Sequence, residues 1–117
     1  MSASPTQLTL AECKKRGYVA QVVERWNQYA KVRQDLFGVI DVVCIVPGRG
    51  ILGIQATSGT NHASRVSKVL EEPRAIAWVK AGGLLQVWSW QKRREPGKKL
   101  ERWTLRAEEL VVRSKAA

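Results

Sequence analysis

The sequence predicts an α/β protein, a mixed β-sheet flanked by helices in the order α-β-β-β-α-β-β. Three observations predict it. Two apolar runs rich in β-branched residues, at 39–46 and 51–57, are joined by a PGRG turn at 47–50. The SGTN segment at 58–61 then supplies cap residues for a helix that carries Val66, Val69 and Leu70. A further core strand, LLQVWSW at 84–90, comes only after that helical region.

Each element can be justified in turn. Residues 1–5 read as a frayed start. From Thr6, the pattern of Leu8, Leu10 and Ala11 up to Cys13–Lys14–Lys15–Arg16 suits a short helix with a basic last turn and Gly17 as its stop. YVAQVVERW reads as a strand buried largely on both faces, and NQYAKVRQ as a loop or irregular strand extension. Residues 39–46 and 51–57 are antiparallel partners. The next helix begins near His62, Pro73 kinks or restarts it, and a second piece over 74–80 ends at Gly82–Gly83. After the strand at 84–90, QKRREPGKK forms a polar hairpin or loop and LERWTLR its partner strand. AEELVV reads as a short terminal helix or strand, and 114–117 fray. One domain spans 1–117, with no internal repeat.

Composition narrows the function. The longest apolar run is far too short to cross a bilayer, and the first residues lack a basic start followed by an apolar block. A cytoplasmic protein without membrane partners is therefore expected. Cys13 and Cys44 are too few for a disulfide framework or a zinc site, and Cys44 reads as a small core residue. His62, the single histidine, has no identifiable partner and reads as a surface residue at a helix start. Twenty Lys and Arg against ten Asp and Glu leave a formal charge of +10, which favours polyanionic partners such as nucleic acid.

Residues 35–59, DLFGVIDVVCIVPGRGILGIQATSG, hold the chemistry. Gln55 and Thr57 point to one face, roughly 7 Å apart along the strand, while Leu52, Ile54 and Ala56 point to the other. The hairpin gathers Asp41, Gln55 and Thr57 at one end, with Asp35 near from the preceding loop. A carboxylate in apolar surroundings is costly unless a metal, a cation or backbone amides compensate it. Magnesium takes oxygen ligands and uses one or two carboxylates with waters and phosphate. The alternative is that Asp41 opens a strand and bonds to backbone amides, with Gln55 satisfied beside it.

The helix, the strand after Gly17–Tyr18, IDVVCI, the glycine turn and ILGIQAT together resemble the nuclease superfamily named for its PD-(D/E)XK motif. The likeness is to its branch of archaeal Holliday-junction resolvases and small phage-type nucleases, and it covers about residues 8–70. It implies a restriction-endonuclease-like fold and hydrolysis of DNA phosphodiesters with Mg²⁺ or Mn²⁺. Asp41 takes the place of the first-motif aspartate, and Gln55, Ala56 and Thr57 that of the acid-x-lysine motif. The chain departs from the pattern with Ile40 for a proline, Gln55 for the acid and Thr57 for the lysine. Gln55 keeps a carbonyl oxygen without charge, and Thr57 cannot carry a positive one. Lys68, one helix later, is the candidate replacement, with Arg65 beside it at i, i+3. For the family's first-helix acid the choices are Glu12, near the helix end, and Glu24.

The resemblance thus implies a catalytic set of Asp41, Gln55, Thr57 and Lys68, with Asp41, Gln55 and Asp35 holding the metal. Arg33, Arg65, Lys68, Lys92, Arg93, Arg94, Lys98 and Lys99 are the candidate DNA contacts. The DNA includes branched and single-stranded forms, and a homodimer is expected if two strands are cut. The alternative function is an inactive nucleic-acid-binding or assembly module on the same fold, which the altered charges at Gln55 and Thr57 favour. Trp88, Trp90 and Trp103 interleave with the C-terminal cations. Trp88 and Trp90, at i, i+2, share a face that suits a packed sheet, a subunit contact or base stacking.

Overall fold

The structure is a computed structural model and describes residues 3–112. The expected fraying of residues 1–2 and 114–117 lies outside the described residues. Helix α1 (Pro5–Lys15) begins earlier than expected, because Ser4 caps it. The Ser4 hydroxyl accepts from the Gln7 amide at 3.2 Å, and the Gln7 side chain accepts from the Ser4 amide at 3.1 Å. Residues 4–5 are therefore part of an ordered helix start. Gly17, at φ +82°, takes the left-handed conformation that ends the helix.

Five strands form the main sheet: β1 (Val19–Val22), β4 (Val42–Val46), β5 (Gly50–Ser58), β6 (Leu84–Arg94) and β7 (Glu101–Glu109). They lie in the order β1-β4-β5-β6-β7. The first three run antiparallel, β6 lies parallel to β5, and β7 returns antiparallel to β6. The parallel step requires a crossover, supplied by a 3₁₀ turn (Gly59–Asn61), α2 (His62–Glu71) and α3 (Pro73–Lys80). Pro73 restarts the helix at a new first turn, with the Glu72 carboxylate capping the Arg74 amide at 3.0 Å.

Three expectations change. NQYAKVRQ belongs to a separate small hairpin, β2 (Arg25–Asn27) with β3 (Val32–Gln34), whose Asn27 side chain accepts from the amides of Tyr29 and Ala30. The first strand is not buried on both faces: β1 is an edge strand, and its residues alternate between exposed and half-buried. AEE continues β7, so the C-terminal hairpin is longer than expected and only residues 95–100 form its tip.

The sheet has two distinct faces. On one, α1 packs through its Cys13 over Val42, Cys44, Leu52, Ile54, Trp88 and Trp90 of the sheet. Trp90 donates to the Thr9 hydroxyl at 2.9 Å, and the Arg16 guanidinium lies 4.8 Å from the centre of the Trp88 ring. The paired tryptophans are thus core. Cys13 and Cys44 are buried free thiols 3.8 Å apart. On the other face, Val69, Ala75 and Leu110 cover Val39, Ile40, Leu85 and Val87. Among the described residues, no helix is long and apolar enough to cross a membrane.

Candidate functional site

The polar groups of the sheet lie on the face covered by α2 and α3. Gln55 and Thr57 share that face of β5, level with Val87 and Ser89 of β6. Gln55, Thr57 and Asp41 are all buried. Main-chain bonds hold Asp41 in place: its amide donates to Ile54 O and its carbonyl accepts from the Val23 amide, both at 2.9 Å. The second bond brings Glu24 alongside. A tight turn in which Leu36 and Ile40 exchange main-chain hydrogen bonds at 2.9 Å carries Asp35 back toward Asp41.

Ligand atoms of Glu24, Asp35 and Asp41 lie within 4.8 Å of one another. Glu24, and not Glu12, is the additional acid of the group; Glu12 pairs with Arg16 at 2.8 Å on α1. One Asp41 oxygen, Oδ2, accepts from Gln55 Nε2 and from the Ala56 amide, each at 2.8 Å. Burial, reinforced by Asp35, raises the Asp41 carboxyl from 3.8 to about 8, although the Ala56 amide opposes the shift. At the other end of the Gln55 amide, Oε1 is buried with no hydrogen-bond partner among the described residues. This is the costly kind of polar atom, desolvated and unpaid by any bond. The site therefore combines an excess of carboxylates with an unpartnered neutral oxygen.

Cations stand beside Asp35. Arg33, Gln34, Asp35, Gly38, Lys68 and Arg74 surround a cavity of about 340 Å³. Arg33 reaches Glu24 at 3.4 Å, and Arg74 is bound to Glu72 at 2.8 Å. Lys68 thus shares a cavity with Asp35, while Arg65 stands half-buried one turn earlier on α2. Arg74 was not expected here from the sequence. Its only local signal is Gly38, where a side chain would meet the Arg74 guanidinium at 3.1 Å.

A second polar group lies farther along the same face. His62 is buried at the start of α2, contrary to the expected surface position. Its Nδ1 is hydrogen-bonded to the buried Ser89 hydroxyl, and its Nε2 lies 2.8 Å from Glu108 Oε1. These contacts tie α2 to β6 and β7. Ser89 is the sequence signal that could have found the group, a hydroxyl inside the apolar run LLQVWSW. Lys92, Arg93 and Arg94 extend along β6, whereas Lys98 and Lys99 stand at the hairpin tip; all are exposed. Trp103 is 39% exposed, with the Lys92 ammonium 5.1 Å from its ring centre. Comparison with protein-family models, curated proteins and solved structures returned no match.

Proposed function

We propose that the chain is a nucleic-acid-binding, metal-dependent nuclease-like protein that hydrolyses DNA phosphodiester bonds on a restriction-endonuclease-like fold. The observation that carries this reading is the cluster of half-buried Glu24 and Asp35 with buried Asp41, next to Gln55 with its orphaned oxygen. Support also comes from the element order: an antiparallel run of three sheet strands, two helices, then a strand parallel to the third. Asp41 precedes the second of those strands, and Gln55, Ala56 and Thr57 lie on the third, as the resemblance implies.

The donor set suits a hard divalent cation, since every candidate ligand atom is an oxygen. Asp41, Asp35 and Glu24 would hold Mg²⁺ or Mn²⁺, with Gln55 contributing its Oε1. When bound, such an ion supplies a more acidic water and charge shielding for the scissile phosphate. The chain's own residues do the rest. Lys68, Arg33 and Arg74 line the cavity beside Asp35 and stabilise charge developing on phosphate oxygens. Thr57, buried on β5, contributes packing and not charge.

A non-hydrolytic nucleic-acid-binding or assembly module is the second reading. Gln55 and Thr57 favour it, because together they remove one negative and one positive charge from the family's pattern. Incubation with plasmid, single-stranded and branched DNA in Mg²⁺, Mn²⁺ or EDTA separates the two. Metal-dependent cleavage supports the nuclease. DNA that is retarded but intact in every metal supports the module, and no binding at low salt sinks both.

A further inference from the structure

The β6–β7 hairpin projects its charged side chains in two sets, and strand register separates them. Ser89 pairs with Arg106, Gln91 with Thr104 and Arg93 with Arg102, so these six side chains share one face. Trp90 pairs with Leu105, Lys92 with Trp103 and Arg94 with Glu101, and these form the opposite face. The first face is on the side of the acidic site, because Ser89 is bonded to His62 of α2. The second continues the side on which Trp88 and Trp90 pack against α1.

The two faces differ chemically. The first has three arginines interspersed with small polar groups, and its nearest carboxylate, Glu108, is already engaged by His62. Arg106 lies 3.9 Å from that same carboxylate and is 70% exposed. Gln91 Oε1 accepts from Arg93 at 3.2 Å and steadies its guanidinium on this face. A groove of about 520 Å³ runs here, lined by Gly59, Ser89, Gln91, Arg93, Thr104 and Arg106 among others. Gly59 keeps it open, since a side chain there would meet Gln91 at 3.0 Å. On the second face Lys92 is drawn over the Trp103 ring and Arg94 stands opposite Glu101.

Strand register relates this face to the acidic site. Gln55 is level with Val87, and Arg93 lies six positions beyond Val87 along β6, roughly 20 Å at the usual strand rise. We propose that the face bearing Arg93, Arg102 and Arg106 is the track for the sugar–phosphate backbone of a DNA strand leading into the acidic site. The direction of the track rests on the nuclease reading; the binding face does not. Guanidinium groups suit phosphate through paired N–H donors, and Arg93 and Arg106 both line this groove.

The test uses the full chain carrying Asp41→Asn, in EDTA, so that binding is read without cleavage. Fluorescence anisotropy with labelled single-stranded and duplex oligonucleotides over graded salt compares two triple variants of equal charge. Arg93→Gln/Arg102→Gln/Arg106→Gln is expected to weaken binding by about tenfold or more. It should also lower the slope of log affinity against log salt by about 2–3. Lys92→Gln/Arg94→Gln/Lys98→Gln is expected to change that slope by less than about 1. A photo-crosslinking side chain at Thr104 should label the strand, and one at Trp103 should not. Equal losses from the two triples, or labelling from Trp103 alone, would overturn the track. Metal-dependent cleavage by the parent protein would then leave the nuclease reading standing, whereas a parent that binds no DNA at low salt removes both.

Discussion

Around His62, both ring nitrogens and the Ser89 hydroxyl find partners within the chain. Around Asp41, three carboxylates crowd within 4.8 Å and the Gln55 oxygen has no partner among the described residues. The two groups occupy one face of one sheet, and their central residues, Asp41 and Gln55 in one and His62 and Ser89 in the other, are buried to similar depth. What separates them is completion. A polar group satisfied internally fixes elements relative to one another. One left overcharged and unpaired lowers stability, and burial at that cost marks a place where something else supplies the missing charge.

Removing charge from the incomplete group should have the largest effect. Asp41→Asn is expected to reduce metal-dependent cleavage at least ~100-fold while raising the unfolding temperature of the metal-free protein at pH 8. Undiminished cleavage by this variant breaks the contrast outright. The pH dependence comes next. With its carboxyl raised from 3.8 to about 8, folded Asp41 keeps a proton that the unfolded chain has lost. Stability of the metal-free protein should therefore fall as pH rises through that window, by at most ~1.4 kcal/mol per pH unit from this group. Urea titrations across pH 4–9, with and without Mg²⁺, measure it; a metal-free stability that does not fall there rejects the carboxylate account.

The complete group should respond in the opposite sense. His62→Ala strands the Ser89 hydroxyl and opens a hole, so a loss of ~1–3 kcal/mol is expected in urea denaturation. The rise in melting temperature produced by Mn²⁺ should persist in that variant. If His62→Ala instead leaves stability intact and abolishes the Mn²⁺ response, the two groups have been given each other's roles. The smallest effects fall on Gln55. Gln55→Leu removes the orphaned oxygen but also the Nε2 donor to Asp41, so the two changes offset and the metal-free protein should stay within ~1 kcal/mol of the parent. Its Mn²⁺-induced shift should shrink, and Gln55→Glu should enlarge it by adding charge to the ligand set.

The two groups were unequally legible in the sequence. Asp41 and Gln55 stood out because two-residue alternation exposes a polar side chain in an apolar strand, and a short hairpin leaves little freedom in what lies opposite. Glu24 was only one of two candidates, since its approach depends on a main-chain bond from Val23 to Asp41 that no periodicity reveals. His62 was misread because its carboxylate partner, Glu108, lies 46 residues away on a strand whose end was ambiguous. The sheet itself was readable from its β-branched runs. The small hairpin β2–β3 was not, because its exposed polar residues and an Asn27 side-chain turn resemble an irregular loop.

Gly53 carries a consequence for finding relatives of this chain. A side chain on Gly53 would come within 2.7 Å of the Ile40 δ-methyl, so the bare backbone at 53 and the bulky residue at 40 fit as a pair. Asp41 and Gln55, one and two positions further on, are the second pair, joined at 2.8 Å. A chain sharing this pocket should thus repeat a lock of shape beside a lock of charge: a bulky aliphatic followed by Asp, then, across a hairpin, Gly-x-Gln or Gly-x-Glu. That spaced signature is a better search key than overall identity, because sterics and electrostatics constrain its four positions together.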